Sequence, residues 1–351
     1  MTSTQFLNFH YPVSTEIKDG IFLDISNNLR NPLTAIQMAL DLLSCGQLGT
    51  LSKQQHHIVE IAANNAQRLI RLTSASKGDR EVVNTVISEK ELAQIKFEQD
   101  LEKALSRNEF SLCYQPILSL KNNKIIGFEA LIRWQHPTLG TISPDTFIPL
   151  TETSGAIIKI GKWVLKEACS QLCKWQQEFP EHFASLTVSV NVSSKQLANP
   201  DFAAEVQQIL QETGLKSQSL VLEITETAII DNDIQAKETL TKLQNAGIRI
   251  YIDDFGMGYS SLSRLYELPL NVIKIDRYFV EKLDCPNGNH IIEAITNMAH
   301  NLGLEVIAEG VETSEQILKL QSLGCHQVQG YFLSKPLEKY AIAPFVCGEI
   351  Q

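Results

Sequence analysis

The fold is decided by the stretch IRIYIDDFGMGYSS, Ile248 to Ser261. A run of residues that favour β-strands ends on two adjacent aspartates, Asp253 and Asp254, and a glycine-containing turn follows directly. Neighbouring carboxylates repel each other, so a buried strand that ends on two of them indicates that something positive sits between them. Polar residues at the ends of strand-like runs recur along the chain. Together they predict a barrel fold and a metal site at the ends of its strands.

Size and composition are those of a globular protein with one large core and a smaller second unit. The chain has 351 residues, of which 44% are hydrophobic, and a formal net charge of −10. This charge argues against a nucleic acid polymer as partner. No apolar run approaches the roughly 20 residues of a membrane span, and the first residues lack the pattern of a signal peptide. We therefore expect a cytoplasmic protein.

The N-terminal part has the pattern of a helical hairpin. Apolar residues recur at helical spacing in LRNPLTAIQMALDLL and in IVEIAANNAQRLIRL, and Gly46 and Gly49 lie between the two segments. Two helices cannot bury their apolar faces alone, so pairing with a second copy in a four-helix bundle is the natural solution. The predicted division is an N-terminal extension at 1–20, the hairpin at 21–76, a linker at 77–90 and an α/β domain at 91–351.

In the α/β domain, strand-like runs alternate with helical stretches, which favours a barrel. The first two strands, Phe110 to Ile117 and Lys124 to Trp134, are joined by a short segment in which Asn122 and Asn123 suit a tight turn. They should therefore be antiparallel. The expected fold is α/β, a TIM-barrel-like (β/α)8 domain with an antiparallel first strand, preceded by an α-helical hairpin. The eight predicted strands are FSLCYQPI, KIIGFEALIRW, LTVSVNVS, LVLEITE, IRIYIDD, NVIKID, LEVIAEG and QVQGYFL.

Polar side chains stand near the carboxyl ends of these strands, where barrel enzymes place their chemistry. We expect them to surround one mouth. A set of oxygen ligands without His or Cys suits magnesium, manganese or calcium, and adjacent aspartates can serve the two ions of a hydrolytic site. The predicted mouth residues are Glu129, Asn191, Glu223, Glu226, Asp253, Asp254, Lys274, Asp276, Glu309 and Gln329.

Each of these residues also has a simpler interpretation. A single acid at a strand end is more often a helix N-cap or a solvated residue. Asn191 alone would fit a turn, Lys274 would fit a surface ion pair with Asp276, and Gln329 would fit an ordinary polar strand end. We favour a shared site because so many acids at corresponding strand ends are not independent accidents.

The chain from about residue 91 to residue 345 resembles the EAL family of cyclic di-GMP phosphodiesterases. The naming motif is present as EALIRW, Glu129 to Trp134, and NVS, EITE, DDFGMGYSS, IKID, AEGVE and QGY follow in the family's order. The resemblance implies hydrolysis of one phosphodiester bond of cyclic di-GMP to linear pGpG in bacterial second-messenger signalling. It also implies two Mg²⁺ or Mn²⁺ ions as cofactors, with Ca²⁺ inhibitory.

The resemblance further implies a role for each residue of the site. Lys274 and Glu309 would orient or deprotonate the attacking water, and Glu226 would brace the loop after Asp254. The implied metal ligands are Glu129, Asn191, Glu223, Asp253 and Asp254. The implied catalytic residues are Lys274, Glu309, Gln329 and Glu226. The implied substrate-binding residues are Arg133, Gln115 and Asp276.

Two positions depart from the family's pattern. Met257 stands where the loop usually has Thr or Ala, and His326 stands where the segment before QGY usually begins with Asp. Neither residue is expected to bind a metal. For Met257 we expect altered loop mobility rather than lost activity.

The N-terminal hairpin resembles the dimerisation and phosphoacceptor (HisKA) helices of sensor histidine kinases. Their motif Ser-His-Glu-Leu-Arg-x-Pro-Leu is here SNNLRNPL, so Asn27 takes the place of the phosphorylated histidine and Asn28 that of the acid. An amide is no phosphoryl acceptor. We therefore expect a homodimerisation helix that has lost its chemistry.

Two other functions stay open. The barrel could be a non-catalytic receptor that binds cyclic di-GMP and signals through the helices, although the intact acids argue against it. Alternatively, the hairpin could dock a response regulator or a histidine kinase, with the barrel as an accessory. The sequence does not decide against this third function.

Overall fold

The computed structural model describes residues 32–43, 59, 62–63, 66, 89–226, 228, 233–257, 262–285 and 287–348. The chain divides into two compact units, Met1–Lys103 and Ala104–Gln351. In the N-terminal unit, helix α1 spans 32–43 and helix α2, Glu89–Ala104, reaches the boundary. The SNNLRN segment and most of the predicted second helix of the hairpin lie outside the described residues.

A closed barrel of eight strands forms the core of the second unit, as the sequence predicts. The order around the barrel is β1-β2-β4-β5-β6-β7-β8-β9, and β9 pairs with β1. These strands are β1 Phe110–Ser119, β2 Lys124–His136, β4 Thr187–Val192, β5 Leu220–Thr225, β6 Arg249–Phe255, β7 Val272–Ile275, β8 Glu305–Ala308 and β9 Gln327–Gln329.

Strand β1 is antiparallel to both of its barrel neighbours, β2 and β9, whereas the other barrel pairs are parallel. The turn from β1 to β2 contains Asn123 at φ 55°, a left-handed conformation that asparagine adopts more readily than most residues. The Asn122 side chain accepts a hydrogen bond from the Lys124 N–H at 3.2 Å. The predicted antiparallel hairpin is therefore confirmed.

Two short strands were not predicted. Strand β3, Gly140–Ile142, pairs with the end of β2, and strand β10, Leu337–Glu338, pairs with β1. Two or three residues are too few to show a period of two, so their sequences carry no strand signal.

Helices connect the strands and cover the outside of the barrel. Some begin at a sequence-encoded cap, since Ser193 with Gln196 and Thr313 with Gln316 form capping boxes. None of the described helices is long and apolar enough to cross a membrane. The helices are α3 Pro144–Ser154, α4 Ile157–Glu178, α5 Pro180–Phe183, α6 Ser194–Leu197, α7 Phe202–Thr213, α8 Asp233–Asn245, α9 Leu262–Glu267, α10 Arg277–Glu281, α11 Gly288–Asn301, α12 Ser314–Ser322 and α13 Lys339–Val346.

The inside of the barrel changes from apolar to charged along the strands. The lower layer is one buried cluster, Ile117, Val221, Tyr251, Val272 and Ile307. Two residues further along the chain stand Glu223 in β5, Asp253 in β6, Lys274 in β7 and Glu309 directly after β8. Because alternate residues of a strand face the same side, these four side chains lie directly above the apolar layer. The period of two in the strands thus builds the site.

Candidate active site

One buried lysine holds the acids of the mouth together. The Lys274 side chain is 0% exposed, and its Nζ lies 2.7 Å from Glu223 Oε2 and 2.6 Å from Glu309 Oε1. It also lies 3.1 Å from Asp253 Oδ1 and 3.5 Å from Glu129 Oε2. The interpretation of Lys274 as a surface ion pair is therefore wrong. Its ammonium is a positive group among the acids, as the adjacent aspartates indicate.

Amide side chains fix the orientation of Glu129. Asn191 Nδ2 donates to Glu129 Oε1 at 2.8 Å, and Gln329 Nε2 donates to Glu129 Oε2 at 2.7 Å. Gln329 also donates to Gln115 Oε1 at 3.1 Å, and Gln115 donates to the Ser334 carbonyl at 3.4 Å. This network brings together the predicted residues from β1, β2, β4 and β9. Ser334 was not predicted, because a backbone carbonyl in a loop leaves no trace in the sequence.

A β-bulge separates the two aspartates. The pairing of β6 with β7 shifts between Ile252 and Phe255, and Asp254 has φ 53°. The Asp254 N–H donates to Asp253 Oδ1 at 3.0 Å. In a regular strand, two adjacent side chains would point to opposite faces. The bulge instead leaves Asp253 against Lys274 and Asp254 exposed at the mouth.

The site carries more negative charge than its lysine neutralises. Burial raises the pKa of Glu223 to about 8, against the attraction of Lys274 and with repulsion from Glu129 and Asp253. Burial also raises the pKa values of Asp253 and Glu309. For Asp254, desolvation and the charges of Asp253 and Asp276 raise the pKa to about 6.

Glu129 differs from the other acids of the site. Burial acts to raise its pKa, but Lys274 together with the donors Gln329 and Asn191 outweighs burial and lowers it. Glu129 is therefore the carboxylate that the protein itself stabilises best, and the remaining acids call for further positive charge.

The acids form two overlapping oxygen clusters that fit divalent cations. One cluster is Glu129, Glu223 and Asp253, the other is Asp253, Asp254 and Glu309, and within each the ligand atoms lie within 4.8 Å of one another. Glu223 Oε1 is buried and has no hydrogen-bond partner among the described residues. Carboxylate oxygens are the ligands that Mg²⁺ and Mn²⁺ prefer, so the donor set and this unpaired oxygen both fit a metal.

Three predicted residues stand apart from the lysine-centred cluster. The Asp276 carboxylate caps helix α10, because Oδ1 accepts from the Tyr278 N–H at 2.8 Å. Glu226 is buried after β5, and neither of its carboxylate oxygens has a hydrogen-bond partner within the described segments. The Arg133 guanidinium donates to the Ile132 carbonyl at 2.8 Å.

The departures from the family's pattern fall outside the cluster. His326 Nδ1 accepts a hydrogen bond from the Val306 N–H at 3.1 Å, at the beginning of β8. This contact gives the ring a structural role at the opposite end of the barrel. Met257 is exposed, and its N–H donates to the Asp254 carbonyl at 3.3 Å.

A closed barrel with an oxygen-rich mouth at the carboxyl ends of its strands defines a TIM-barrel-like scaffold. Comparison with known families identifies the scaffold. A family model described as EAL domain matches residues 98–336, and one described as His Kinase A (phospho-acceptor) domain matches residues 18–76. The chain belongs to the EAL domain family and has a HisKA segment at its N-terminal side.

Relatives of named function support this assignment. Cyclic di-GMP phosphodiesterase NbdA of Pseudomonas aeruginosa is 40% identical over 256 residues, which cover 72% of this chain and 32% of that protein. Oxygen sensor protein DosP of Escherichia coli is 34% identical over 333 residues, which cover 93% of this chain and 41% of that protein. The chain thus spans less than half the length of these relatives.

Solved structures show the same fold. The PaMucR phosphodiesterase in complex with c-di-GMP is 38% identical, with a TM-score of 0.67, and the match covers 70% of this chain and 99% of that chain. The FimX EAL domain from Pseudomonas aeruginosa bound to c-di-GMP is 26% identical, with a TM-score of 0.63, over 69% of this chain and 96% of that chain.

Proposed function

We propose that this protein hydrolyses cyclic di-GMP to linear pGpG in a reaction that depends on Mg²⁺ or Mn²⁺. The observation that carries the proposal is the pair of oxygen clusters that share Asp253, together with the buried, unpaired Glu223 Oε1. Membership in the EAL domain family and the named relatives supply the substrate class. The finer assignments below rest on the chemistry of these side chains.

The chain offers ligands for two cations. Glu129, Asn191, Glu223 and Asp253 would hold the first, and Asp253 with Asp254 would hold the second, beside which Glu309 lies close enough to act on the water. When bound, the two ions supply the positive charge that favours attack by water on a phosphodiester near neutral pH.

Lys274 and Glu309 are the residues we assign to the attacking water. Of the four carboxylates around Lys274, Glu309 is the most exposed, at 17%, against 12% for Asp253, 8% for Glu129 and 0% for Glu223. Lys274 occupies Glu309 Oε1 and so fixes the orientation of the carboxyl group. Glu309 Oε2 would accept a proton from the attacking water while the water oxygen bonds to phosphorus. The P–O3′ bond then breaks, and the leaving oxygen takes a proton from solvent.

The amide residues and the arginine have supporting roles. Gln329 and Asn191 hold Glu129 in position, and Gln115 extends that network to the edge of the mouth. Arg133 lies on the same strand as Glu129, four residues further along, so its guanidinium can reach a phosphate of the bound substrate. Asp276 would contact the substrate beside Asp254, and Glu226 would brace the loop after Asp254.

Product analysis tests the proposed function. The full chain is incubated with cyclic di-GMP and either Mg²⁺ or Mn²⁺, and the nucleotides are separated by chromatography. We expect linear pGpG to accumulate with time. Binding of cyclic di-GMP without turnover would contradict hydrolysis and would instead favour the non-catalytic receptor.

We also propose that the chain forms a homodimer through its N-terminal hairpin. Helix α1 exposes Ile36, Met38 and Leu42 to solvent in the single chain, and Leu33 and Leu40 are only half-buried. The HisKA match covers this helix. A second copy would cover the apolar side chains and so offset the entropy lost on association.

Solution mass tests the dimer. The full chain and a chain that starts at Glu91 are measured by light scattering at micromolar concentration. We expect a dimer and a monomer, respectively. A monomeric full chain would contradict the proposal, and a dimeric truncated chain would place the contact elsewhere. Binding to a response regulator or a histidine kinase is the remaining alternative for the hairpin.

A further inference from the structure

Helix α10 packs against two turns of the mouth at glycines. A Cβ on Gly256 would lie 2.8 and 2.9 Å from Cε2 and Cζ of Phe279, so the ring sits directly on the Gly256 backbone. A Cβ on Gly310 would lie 2.4 Å from Cβ of Arg277. Gly256 has φ 96° and Gly310 has φ 70°, so each position also requires a left-handed backbone that glycine provides. Both contacts are therefore too close for any other residue.

These two turns carry the residues of the second oxygen cluster. Asp253 and Asp254 precede Gly256, and Glu309 directly precedes Gly310. Their strands, β6 and β8, are not neighbours, because β7 lies between them. Helix α10 follows β7 and lies against both turns.

The backbone of Asp254 needs such support. Its φ of 53° is a left-handed conformation that aspartate adopts more readily than most residues but that still costs free energy relative to the common regions, so contacts nearby help to hold it. Its carboxyl group also faces the like charges of Asp253 and Asp276. The Phe279 ring restrains the turn only two residues further along the chain.

We propose that Phe279 is a positioning residue that holds Asp254 in place beside Asp253 for binding the second cation, at the correct separation from Glu309. The inference rests on the proposed function, in that it takes Asp253 and Asp254 as ligands of this cation and Glu309 as the base beside it. Phe279 itself offers no ligand atom and acts through Gly256. The close contact between Arg277 and Gly310 restrains the turn that follows Glu309 in the same way.

Manganese binding to the full chain tests the inference without any turnover. Mn²⁺ is titrated into each variant, and the free ion is followed by its electron paramagnetic resonance signal. Asp254→Asn identifies the binding step that belongs to the second site, and Glu129→Gln identifies the step of the first. We expect Phe279→Ala to weaken the second step by about tenfold or more and to change the first by less than about twofold, since residues behind a ligand typically alter metal affinity on this scale.

Phe279→Tyr separates positioning from simple burial. The added oxygen would extend from Cζ, one of the two ring atoms closest to Gly256, so we expect it to displace the turn and to weaken the second step as well. A merely structural role predicts that the tyrosine ring is tolerated. Phe279→Leu keeps an apolar side chain and replaces the alanine variant if that variant does not fold. Thermal unfolding by circular dichroism checks each variant.

Phe179→Ala is the matched control. Phe179 is also half-buried and packs against the ring of Phe183, with centroids 6.0 Å apart, at the end of α4 that leads toward the start of β4. We expect both manganese steps to stay unchanged there. Equal weakening of both steps in Phe279→Ala, or no change, would overturn the inference. A wild-type chain that binds only one ion would overturn it too, and one that binds none would overturn the metal-dependent function as well.

Discussion

The two ends of the barrel use the same strands and similar polar residues, yet their charges are arranged differently. At the end where the strands begin, Arg249 of β6 lies 3.1 Å from Glu305 of β8, and the two side chains are 34% and 48% exposed. Gln327 of β9 donates to Glu305 at 2.8 Å. At the mouth, by contrast, four carboxylates surround one buried lysine.

This difference separates a structural pair from the cluster that we propose to be functional. An exposed pair of opposite charges is balanced and contributes roughly 0–1 kcal/mol to stability. A buried excess of one sign is costly and persists where function requires it. Strand position alone does not distinguish the two ends, since Glu305 and Glu309 face the same barrel interior four residues apart. Charge balance and burial do.

Removal of the metal should have the largest effect, and only at the mouth. With excess chelator we expect turnover to become undetectable, because the oxygen ligands release ions of the magnesium class. Replacement by Ca²⁺ should inhibit, since its looser geometry suits the reaction poorly. Chromatography of the products measures both. Undiminished turnover in excess chelator would contradict the proposal that the acids at the mouth bind the metal ions used in hydrolysis.

Glu129→Gln should lower kcat by about 100-fold or more, corresponding to roughly 2.7 kcal/mol, because it removes the charge of a carboxylate ligand with little change in side-chain volume. Steady-state kinetics with circular dichroism measure activity and folding together. The matched control is Glu178→Gln, an exposed glutamate at the end of α4, which should leave kcat unchanged. Retention of more than about a tenth of the activity in Glu129→Gln would show that this carboxylate is not a ligand.

Lys274→Met should destabilise the metal-free protein by about 3 kcal/mol or more at neutral pH, since it leaves buried carboxylates without their cation. Acids whose folded pKa is raised, as for Glu223 at about 8, stabilise the fold below their ordinary pKa and lose this contribution as the pH rises. The loss should therefore grow from pH 5 to pH 8. Urea unfolding at both pH values measures it.

The exposed pair of Lys174 and Glu178 provides the control for that experiment. Lys174→Met should change the free energy of unfolding by less than about 1 kcal/mol at either pH, because its ion pair is exposed. Mn²⁺ should restore part of the stability of Lys274→Met by supplying the missing positive charge. Equal stability of the metal-free Lys274→Met protein and the wild type would contradict the claim that the mouth carries a buried excess of negative charge.

Glu305→Gln should leave kcat within about twofold and should lower the free energy of unfolding by no more than about 1 kcal/mol, since it breaks an exposed pair. Kinetics and urea unfolding on the same preparation measure both quantities. A large loss of kcat would break the comparison between the two ends of the barrel.

His326 should give the smallest effect, a weak dependence of stability on pH. Burial, together with the neighbouring His300, lowers the pKa of His326 below 6.5. The folded state therefore binds fewer protons than the unfolded state, so the contribution to stability is complete above pH 6.5 and is lost as the pH falls through the lowered pKa. The proton NMR titration of the ring should show this pKa, and His326→Gln should remove the corresponding slope. An unshifted titration would contradict the prediction.

The sequence by itself determined the strands, their order along the chain, the antiparallel first hairpin and the identity of the acids at the strand ends. These features depend on local patterns: a period of two, a two-asparagine turn and polar residues that close apolar runs. The short strands β3 and β10 were missed because they have no such pattern. The choice of Asp253 and Asp254 as site residues also came from local sequence, but their separate environments did not.

Only the tertiary structure decided which charges meet. Lys274 contacts Glu129 across 145 residues and Glu223 across 51 residues of the chain, and Gln329 reaches Glu129 across 200. These contacts exist because the barrel closes with a particular register. The bulge at Asp254 and the ring of Phe279 on Gly256 likewise follow from packing between elements. Periodicity determines which face a residue occupies, whereas closure of the barrel determines which residue lies opposite it.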